Sequence, residues 1–349
     1  MNQTDFSRAQ DLLAEAVHQR QITAGSLVVI QAGTPVVEAG FGYQHPTDHS
    51  HPVDADSTFL LASITKPVTV LALMLLVERG LVSLGDPVRQ HLPEFVGEDR
   101  STMRILHLLT HTSGMRDMLP NNIDLRQAHA PQSTFVQHAL EARLLFSPGS
   151  DFRYQSKGIL LVAEIVERLT GQRLREFLRT DLLGPLGMDR SSLGLGERSI
   201  DETVYCGVDP EDERFSSDWG HNSPYWRDFG CPWGGLHASA RDVARLLQAV
   251  VTDGGGAISP ATCRRVRLDH NVRMKAPWGL GWGLRDSRVW NYFGNLCSEE
   301  TFGHTGSTGT VAWADPKTHT VCVILTNQMV GEGRLLRRVS NAVAAQVKS

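Results

Sequence analysis

Residues 60–71 read Leu-Leu-Ala-Ser-Ile-Thr-Lys-Pro-Val-Thr-Val-Leu, with Ser63 and Lys66 three positions apart at the head of an apolar segment. Residues three apart share one face of a helix, so the lysine amine can reach the serine hydroxyl. A serine becomes a nucleophile when a neighbouring base takes its proton, and burial lowers the pKa of a lysine toward that role. Pro67 is tolerated only in a first turn, which predicts a helix start near Ser63. The alternative is a serine cap followed by a solvated lysine.

Helical periodicity dominates the middle of the chain and both ends. The predicted helices cover residues 5–19, 68–79, 104–109, 134–145, 158–170, 240–251 and 334–346. Gly80, Gly171 and Gly254 follow three of these segments, as is common where helices end. Ser239 and Asp242 predict the start of the helix over 240–251, because both side chains can accept from free amides of a first turn.

Strand-like segments occur near the two ends of the sequence. They cover residues 25–31, 35–42, 279–284, 310–315 and 320–327. A three-residue link through Gly33 predicts a hairpin between the first two. We therefore expect an α+β fold, with one antiparallel sheet built from both chain ends, flanked by terminal helices, and an inserted mainly helical subdomain.

The expected division places residues 1–60 and 275–349 in the sheet subdomain and residues 61–274 in the helical one, with the active site between them. Residues 184–235 have weak periodicity and many aromatic side chains. A long stretch of this kind is typical of a lid or pocket wall, and packing beneath a long loop is the equal alternative.

Composition excludes several classes of protein. The 349 residues are 41% apolar, and 34 basic side chains stand against 38 acidic ones, for a net charge of −4. No long Lys/Arg run occurs, so we expect no nucleic-acid or membrane partner. The longest apolar run, 68–77, is half of the roughly 20 residues that a membrane span needs. The opening residues lack the features of a secretory signal, which predicts a cytoplasmic protein.

Metal and disulfide chemistry are not expected either. The 5 cysteines are odd in number and form no C-x-x-C pair. His107 and His111 lie one helical turn apart, but no third ligand accompanies them, so we interpret both as structural residues. We expect no metal and no organic cofactor.

Two later stretches complete a pattern. Residues 152–158 read Phe-Arg-Tyr-Gln-Ser-Lys-Gly and offer Tyr154 and Ser156, and residues 302–309 read Phe-Gly-His-Thr-Gly-Ser-Thr-Gly. In this order after Ser63 and Lys66, the set resembles the serine β-lactamase and penicillin-binding-protein superfamily. The tyrosine form is most similar to class C β-lactamases, DD-peptidases and family VIII esterases. Family-like segments also occur at 108–115, 183–188 and 234–242.

The resemblance implies a role for each matching residue. Ser63 would be the acylated nucleophile, and Lys66 would hold or relay its proton. Tyr154 would be the partner acid and base, which protonates the leaving group and later activates water. The backbone amides of Ser63 and Ser307 would form the oxyanion hole. The implied substrate-binding residues are Ser156, His304, Thr305 and Gly306.

Two residues depart from the family pattern. Ser156 stands where the family usually has Asn, and a hydroxyl is too short to contact both the substrate amide and the catalytic lysine. His304 stands where many relatives have Lys, and a mostly uncharged imidazole offers no fixed charge to a carboxylate. Both changes weaken the case for β-lactam turnover, whereas esterase and DD-peptidase-like relatives use His at this position.

We therefore predict a serine hydrolase that cleaves an ester or amide of a small molecule through an acyl-enzyme, with carboxylesterase-like activity favoured. One alternative is a β-lactamase or a D-amino-acid or DD-peptidase of the same family. Another is a catalytically silent binding or scaffold protein. The acyl group, the leaving group and the oligomeric state do not follow from the sequence.

Overall fold

The computed structural model describes residues 5–289 and 291–347. Residues 1–4, 290, 348 and 349, all in the predicted sheet subdomain, lie outside the described residues. The described helices are α1 (Ser7–His18), α2 (Thr65–Glu78), α3 (Val88–His91), α4 (Ile105–Leu109), α5 (Asn122–Gln127), α6 (Gln132–Glu141), α7 (Lys157–Thr170), α8 (Leu174–Leu178), α9 (Glu213–Ser216), α10 (Pro224–Phe229), α11 (Ala240–Val251), α12 (Pro260–Val266) and α13 (Arg334–Ala344). The described strands are β1 (Ala24–Gln31), β2 (Thr34–Gly42), β3 (Phe59–Leu60), β4 (Ser192–Leu193), β5 (Leu236–Ala238), β6 (Gly283–Leu284), β7 (Phe302–Gly306), β8 (Thr310–Asp315) and β9 (Thr320–Thr326).

A six-stranded antiparallel sheet contains strands from both ends of the chain. Its order is β2-β1-β9-β8-β7-β6, so β1 lies between its hairpin partner and the last strand. Gly25 pairs with Thr326 and Gln31 with Thr320 across the β1–β9 ladder. The hairpin turn contains Gly33 with φ of 80°, in the left-handed region that glycine adopts without strain. The predicted α+β class and the sheet from both ends are confirmed.

Both faces of this sheet are covered. Leu27 and Val29 of β1 pack in a core with α1 and α13, whereas Val28 and Ile30 face a second core on the opposite side. This alternation follows from the two-residue period of a strand. Helix α11 packs on β1, β8 and β9 from the second side, although its residues fall within the range predicted for the helical subdomain.

The helical part is built around α2, whose residues 65–76 are all buried. Helix α2 packs on α7, and α7 also contacts α4 and α6. The apolar run at 68–77 is thus a buried helix, and no helix in the described chain combines the length and apolarity needed to cross a membrane. The helix predicted over 134–145 ends earlier, at Glu141, because the backbone of the next residue, Ala142, is extended.

Two features of the strands differ from expectation. The stretch 302–306, which is not among the predicted strands, is the strand β7, paired with β8 from Phe302 opposite Ala314. Of residues 279–284, only Gly283 and Leu284 form a strand. A small second sheet, in the order β3-β5-β4, joins parts of the chain that have no strand periodicity because each strand has only two or three residues.

Candidate active site

Ser63 lies in a single 3-10 turn, Ala62–Ile64, that connects β3 to α2. The Leu61 amide donates to the Leu236 carbonyl, which holds the turn against the small sheet. Ala62 has φ of 49°, a left-handed conformation that a non-glycine residue rarely adopts. The turn leaves Ser63 half-buried at the start of α2, as the position of Pro67 predicts.

Lys66 reaches Ser63 from the first turn of α2. Its Nζ donates to Ser63 Oγ at 2.8 Å and to the Trp233 carbonyl oxygen at 3.1 Å. The side chain is buried, and desolvation lowers the lysine pKa to about 8, partly opposed by the negative charge of Asp117. A substantial neutral fraction therefore exists near neutral pH, and a neutral amine can accept the Ser63 proton. The alternative of a solvated lysine is wrong.

Side chains of the first turns of α2 fasten the helix to β5 and to the segment before it. Thr65 Oγ1 donates to the Ala62 carbonyl and accepts from the Leu236 amide, while Thr69 Oγ1 donates to the Pro232 carbonyl. Together with the hydrogen bond from Lys66 to the Trp233 carbonyl, these bonds fix the position of α2 relative to residues 232–236. Residue type alone gave no signal for Trp233, because its backbone carbonyl makes the contact.

Tyr154 hydrogen-bonds with Ser63 through its phenol group. Its ring centre lies 4.8 Å from Lys66 Nζ, and the ring packs against His111 and Trp278 at centroid distances of 4.6 and 5.9 Å. Desolvation holds the tyrosine pKa above its usual value, so the phenol keeps its proton at neutral pH. The structure thus brings the three predicted catalytic side chains together at one hydroxyl.

The turn between β7 and β8 is fastened beside the nucleophile. Thr308 Oγ1 donates to the Leu60 carbonyl and Thr310 Oγ1 to the Leu61 carbonyl, at 2.7 and 2.9 Å. A Cβ on Gly306 would lie 2.1 Å from the Leu61 carbonyl oxygen, so only glycine permits this approach. Ser307 lies exposed at the turn itself, and its backbone amide stays a predicted member of the oxyanion hole.

His304 is buried on β7 behind the site. Its ring lies 6.0 Å from that of Tyr154, and burial together with the nearby Lys66 charge lowers the imidazole pKa to about 3. Because Nδ1 lies 2.8 Å from the Thr305 carbonyl oxygen, Nδ1 is the N–H donor of the neutral ring. Nε2 is therefore an acceptor, and no described residue donates to it. The histidine supplies no positive charge.

Ser156 is buried at the start of α7, and its Oγ donates to Asp117 Oδ1 at 2.6 Å. Asp117 is exposed, and its charge raises the pKa values of Lys66 and Tyr154. Asp117 is not among the site residues predicted from the sequence. Its only signal was a position two residues after the family-like segment 108–115, which predicts nothing about a contact with residue 156.

His107 and His111, the two histidines interpreted as structural, make separate contacts. His107 Nδ1 accepts from the Arg104 amide and caps α4, whereas His111 packs its ring on Tyr154. No group of three or more His, Cys, Asp or Glu side chains within residues 5–289 and 291–347 is placed to hold a metal ion. His111 is therefore part of the packing that positions Tyr154.

Residues 184–235 form a packed wall. Arg227 is buried and donates to the carbonyl oxygens of His221 and Val204 and to Thr203 Oγ1. The ring of Phe229 stacks on Trp226 at 5.4 Å and contacts Phe135. These contacts favour the packing interpretation for most of the segment, and only its last residues, through the Trp233 carbonyl, reach the site.

Comparison with known proteins gives a family and a fold. The family model described as Beta-lactamase matches residues 9–346. A curated protein of Salmonella agona (strain SL483), described as "Putative D-alanyl-D-alanine carboxypeptidase", is 29% identical over 350 residues, which cover 89% of this chain and 81% of the relative.

Solved structures share the fold along nearly the whole chain. A family VIII carboxylesterase superposes with a TM-score of 0.79 at 20% identity, covering 98% of this chain and 97% of its own. A penicillin-binding protein homologue from Caulobacter crescentus has a TM-score of 0.76 at 23% identity, with 98% and 97% covered.

Proposed function

Since the chain belongs to the β-lactamase family of serine hydrolases, we propose that it hydrolyses carboxylic esters through an acyl-enzyme on Ser63. One observation carries the proposal. Ser63 Oγ hydrogen-bonds with both Lys66 Nζ and the Tyr154 phenol, so a base and an acid contact the same hydroxyl. This is the arrangement that activates a serine toward a carbonyl carbon.

Acylation begins with neutral Lys66. Ser63 Oγ attacks the ester carbonyl carbon, and its proton moves to Lys66 Nζ. The resulting oxyanion is stabilised by the backbone amides of Ser63 and Ser307. As the C–O bond to the alcohol breaks, Tyr154 gives its proton to the departing oxygen and regains one from the lysine. The raised pKa of the tyrosine supports this role, because the phenol is protonated when the leaving group needs a proton.

Deacylation repeats the transfers with water in place of the alcohol. The amine and phenol pair takes a proton from water, and the hydroxide formed attacks the acyl carbon. The pair then returns a proton to Ser63 Oγ as the acid departs. The substrate is a small ester, and no nucleic-acid or membrane partner enters the proposal.

Two features favour esters over β-lactams and peptides. The neutral ring of His304 offers no cation to the carboxylate that such substrates carry. The hydroxyl of Ser156 donates to Asp117, so it is not free to donate to a substrate amide carbonyl. Thr305 and Gly306 would line the substrate along the edge of β7.

A second candidate is D-amino-acid peptidase, DD-peptidase or β-lactamase activity. The description of the Salmonella relative favours D-alanyl-D-alanine carboxypeptidase among these. A silent scaffold is the third. The joined side chains of Ser63, Lys66 and Tyr154 argue against a scaffold, because a binding protein has no need of a lysine buried against a serine hydroxyl.

The experiment is a comparison of substrates on the purified protein. We expect turnover of p-nitrophenyl acyl esters, with little turnover of nitrocefin or of a D-Ala-D-Ala peptide. A fluorophosphonate probe should add one adduct to Ser63 by intact mass. Strong nitrocefin turnover with silent esters would contradict the ester proposal, and absence of any adduct would favour the scaffold.

The matched variants are Ser63→Ala and Ser101→Ala, the second at an exposed serine far along the chain from the motif. Loss of turnover and of the adduct is expected only for the first. Equal activity of the two variants would remove Ser63 as the nucleophile.

We also propose a cytoplasmic location. The five cysteines are buried and unpaired, which suits a reducing compartment because disulfides are rare there. Cell fractionation with an antibody to the protein tests this location, and recovery outside the cytoplasm would contradict it.

A further inference from the structure

Asp117 places a negative charge at the rim of the site. Its carboxylate is exposed, and Oδ1 accepts from the buried Ser156 hydroxyl, which orients the group. Ser156 is two residues from Tyr154, so this hydrogen bond places the carboxylate beside the segment that carries the phenol, and its charge acts on Lys66, Tyr154 and Lys157. Among the described residues, no lysine, arginine or histidine lies within ion-pair distance of it.

The catalytic groups near Asp117 are uncharged in the reactive form, and burial lowers the pKa of the other amine, Lys157, to about 7, so that amine is mostly neutral above this pH. Lys66 must be neutral to accept the serine proton, Tyr154 is a protonated phenol, and the His304 ring is neutral. The imidazole also directs its only N–H to the Thr305 carbonyl, so its second nitrogen is an acceptor. The charge of Asp117 is therefore not balanced by these side chains when the enzyme is ready to react.

We propose that Asp117 is a specificity-determining residue that selects esters whose acyl or alcohol part carries a quaternary or protonated amine. The inference rests on the proposed ester hydrolysis and names its substrate class. A substrate cation near the carboxylate is attracted in a partly desolvated site, whereas a substrate carboxylate is repelled.

The test uses pairs of esters with the same shape and different charge. Acetylcholine is compared with its neutral carbon isostere, in which carbon replaces the quaternary nitrogen. The p-nitrophenyl ester of trimethylammoniobutyrate is compared with its own carbon isostere and with the mono-p-nitrophenyl ester of glutarate. The first pair places the charge on the alcohol and the second on the acyl group.

We expect kcat/KM to be about fivefold higher for the cation in at least one pair, which corresponds to a charge contact at an exposed carboxylate. The glutarate ester should be the poorest substrate. The preference should shrink as salt is added, because exposed charges are screened. Equal rates within both pairs would overturn the proposal.

Asp117→Asn removes the charge and keeps an oxygen that can accept from Ser156. In this variant the cationic and neutral esters of each pair should have about equal kcat/KM values. The control is Asp253→Asn, at an exposed carboxylate in the turn after α11, and it should keep the preference for the cation. If Asp117→Asn keeps the preference for the cation, another group in the protein causes that preference and the proposal is wrong.

Failure of this inference is distinguishable from failure of the proposed function. If Ser63-dependent hydrolysis of neutral esters occurs without a cation preference, only the inference fails. If no ester is hydrolysed, calorimetric binding of the same intact pairs to Ser63→Ala still measures the preference. Equal affinities of Ser63→Ala for the two members of each pair would also overturn the inference about Asp117.

Discussion

Lys157 Nζ lies 3.8 Å from the centre of the Trp233 ring, and no described residue accepts a hydrogen bond from it. The side chain is fully buried, and Trp233 uses its carbonyl for Lys66 on the other side. Desolvation lowers the Lys157 pKa to about 7, although Cys231 and Asp117 oppose the shift. One tryptophan therefore contacts two buried amines.

Lys157→Met should stabilise the protein at pH 7 by about 1–3 kcal/mol, because an unsatisfied buried polar group is replaced by an apolar chain of similar length. The unfolded chain keeps the Lys157 proton up to about 10.5, whereas the folded chain loses it near 7. Burial therefore costs most at pH 7 and below, and the cost falls as the pH rises between these values.

Urea unfolding of both proteins at pH 7 and pH 9.5 measures this difference. The gain should be smaller at pH 9.5. Lys317→Met, at an exposed lysine, is the control and should change stability little at either pH. A Lys157→Met variant less stable than the parent at pH 7 would contradict the prediction.

Activity should depend on one deprotonation near pH 8. Lys66 must be neutral to accept the Ser63 proton, so kcat/KM for a neutral ester should fall about tenfold for each pH unit below about 8 and level off above it. A pH profile between 5.5 and 9.5 measures the midpoint. Asp117→Asn removes a charge that raises this pKa and should move the midpoint lower; a midpoint near 6 in the parent would exclude Lys66 as the titrating base.

Tyr154→Phe should lower kcat by about a hundredfold or more on alkyl esters and by less on p-nitrophenyl esters. In the proposed mechanism the phenol protonates the leaving oxygen, and a good leaving group needs that proton least. The phenyl ring should keep its packing on His111, so thermal stability is the control. Equal losses on both ester classes would argue against an acid role for the phenol.

Gly306→Ala should remove most activity, by about a hundredfold or more. The new methyl group would push the β7–β8 turn away from Leu61, and a small displacement of a reacting geometry has effects of that order. Gly85→Ala is the control, since a Cβ there meets only a distant Ser83 hydroxyl. Circular dichroism confirms folding of both variants. Full activity of Gly306→Ala would mean that the turn does not hold the oxyanion.

Arg227→Met should destabilise the protein by about 3 kcal/mol. The change leaves the carbonyl oxygens of His221 and Val204 and the hydroxyl of Thr203 without their buried donor. Arg8→Met, which breaks the exposed pair with Glu15, should cost less than about 1 kcal/mol. Urea unfolding compares them, and similar costs would show that Arg227 does not organise the wall.

Long elements with clear periodicity could be predicted from the sequence. The α7 segment ends at Gly171 with φ of 70°, and Ser239 Oγ accepts from the Asp242 amide at the start of α11, as expected. The strands β4 and β5 could not be predicted, because two or three residues carry no period and their pairing depends on distant parts of the chain.

Some contacts of the candidate site could also be predicted from the sequence, and others could not. The contact between Ser63 and Lys66 followed from helical spacing, and Tyr154 followed from the resemblance. Two contacts had no signal in residue type or spacing: the Trp233 carbonyl that accepts from Lys66, and the carboxylate of Asp117 that lies 39 residues before Ser156. Such contacts exist only once the fold brings remote backbone and side-chain atoms together.

The position of β1 between β2 and β9 has a consequence for synthesis on the ribosome. The β1–β2 hairpin leaves the exit tunnel before β9, so the edge of β1 that pairs with β9 has no partner while the chain between β2 and β9 is translated. An unpaired apolar strand edge attracts other chains. The nascent protein thus depends on protection of that edge until β9 has been made.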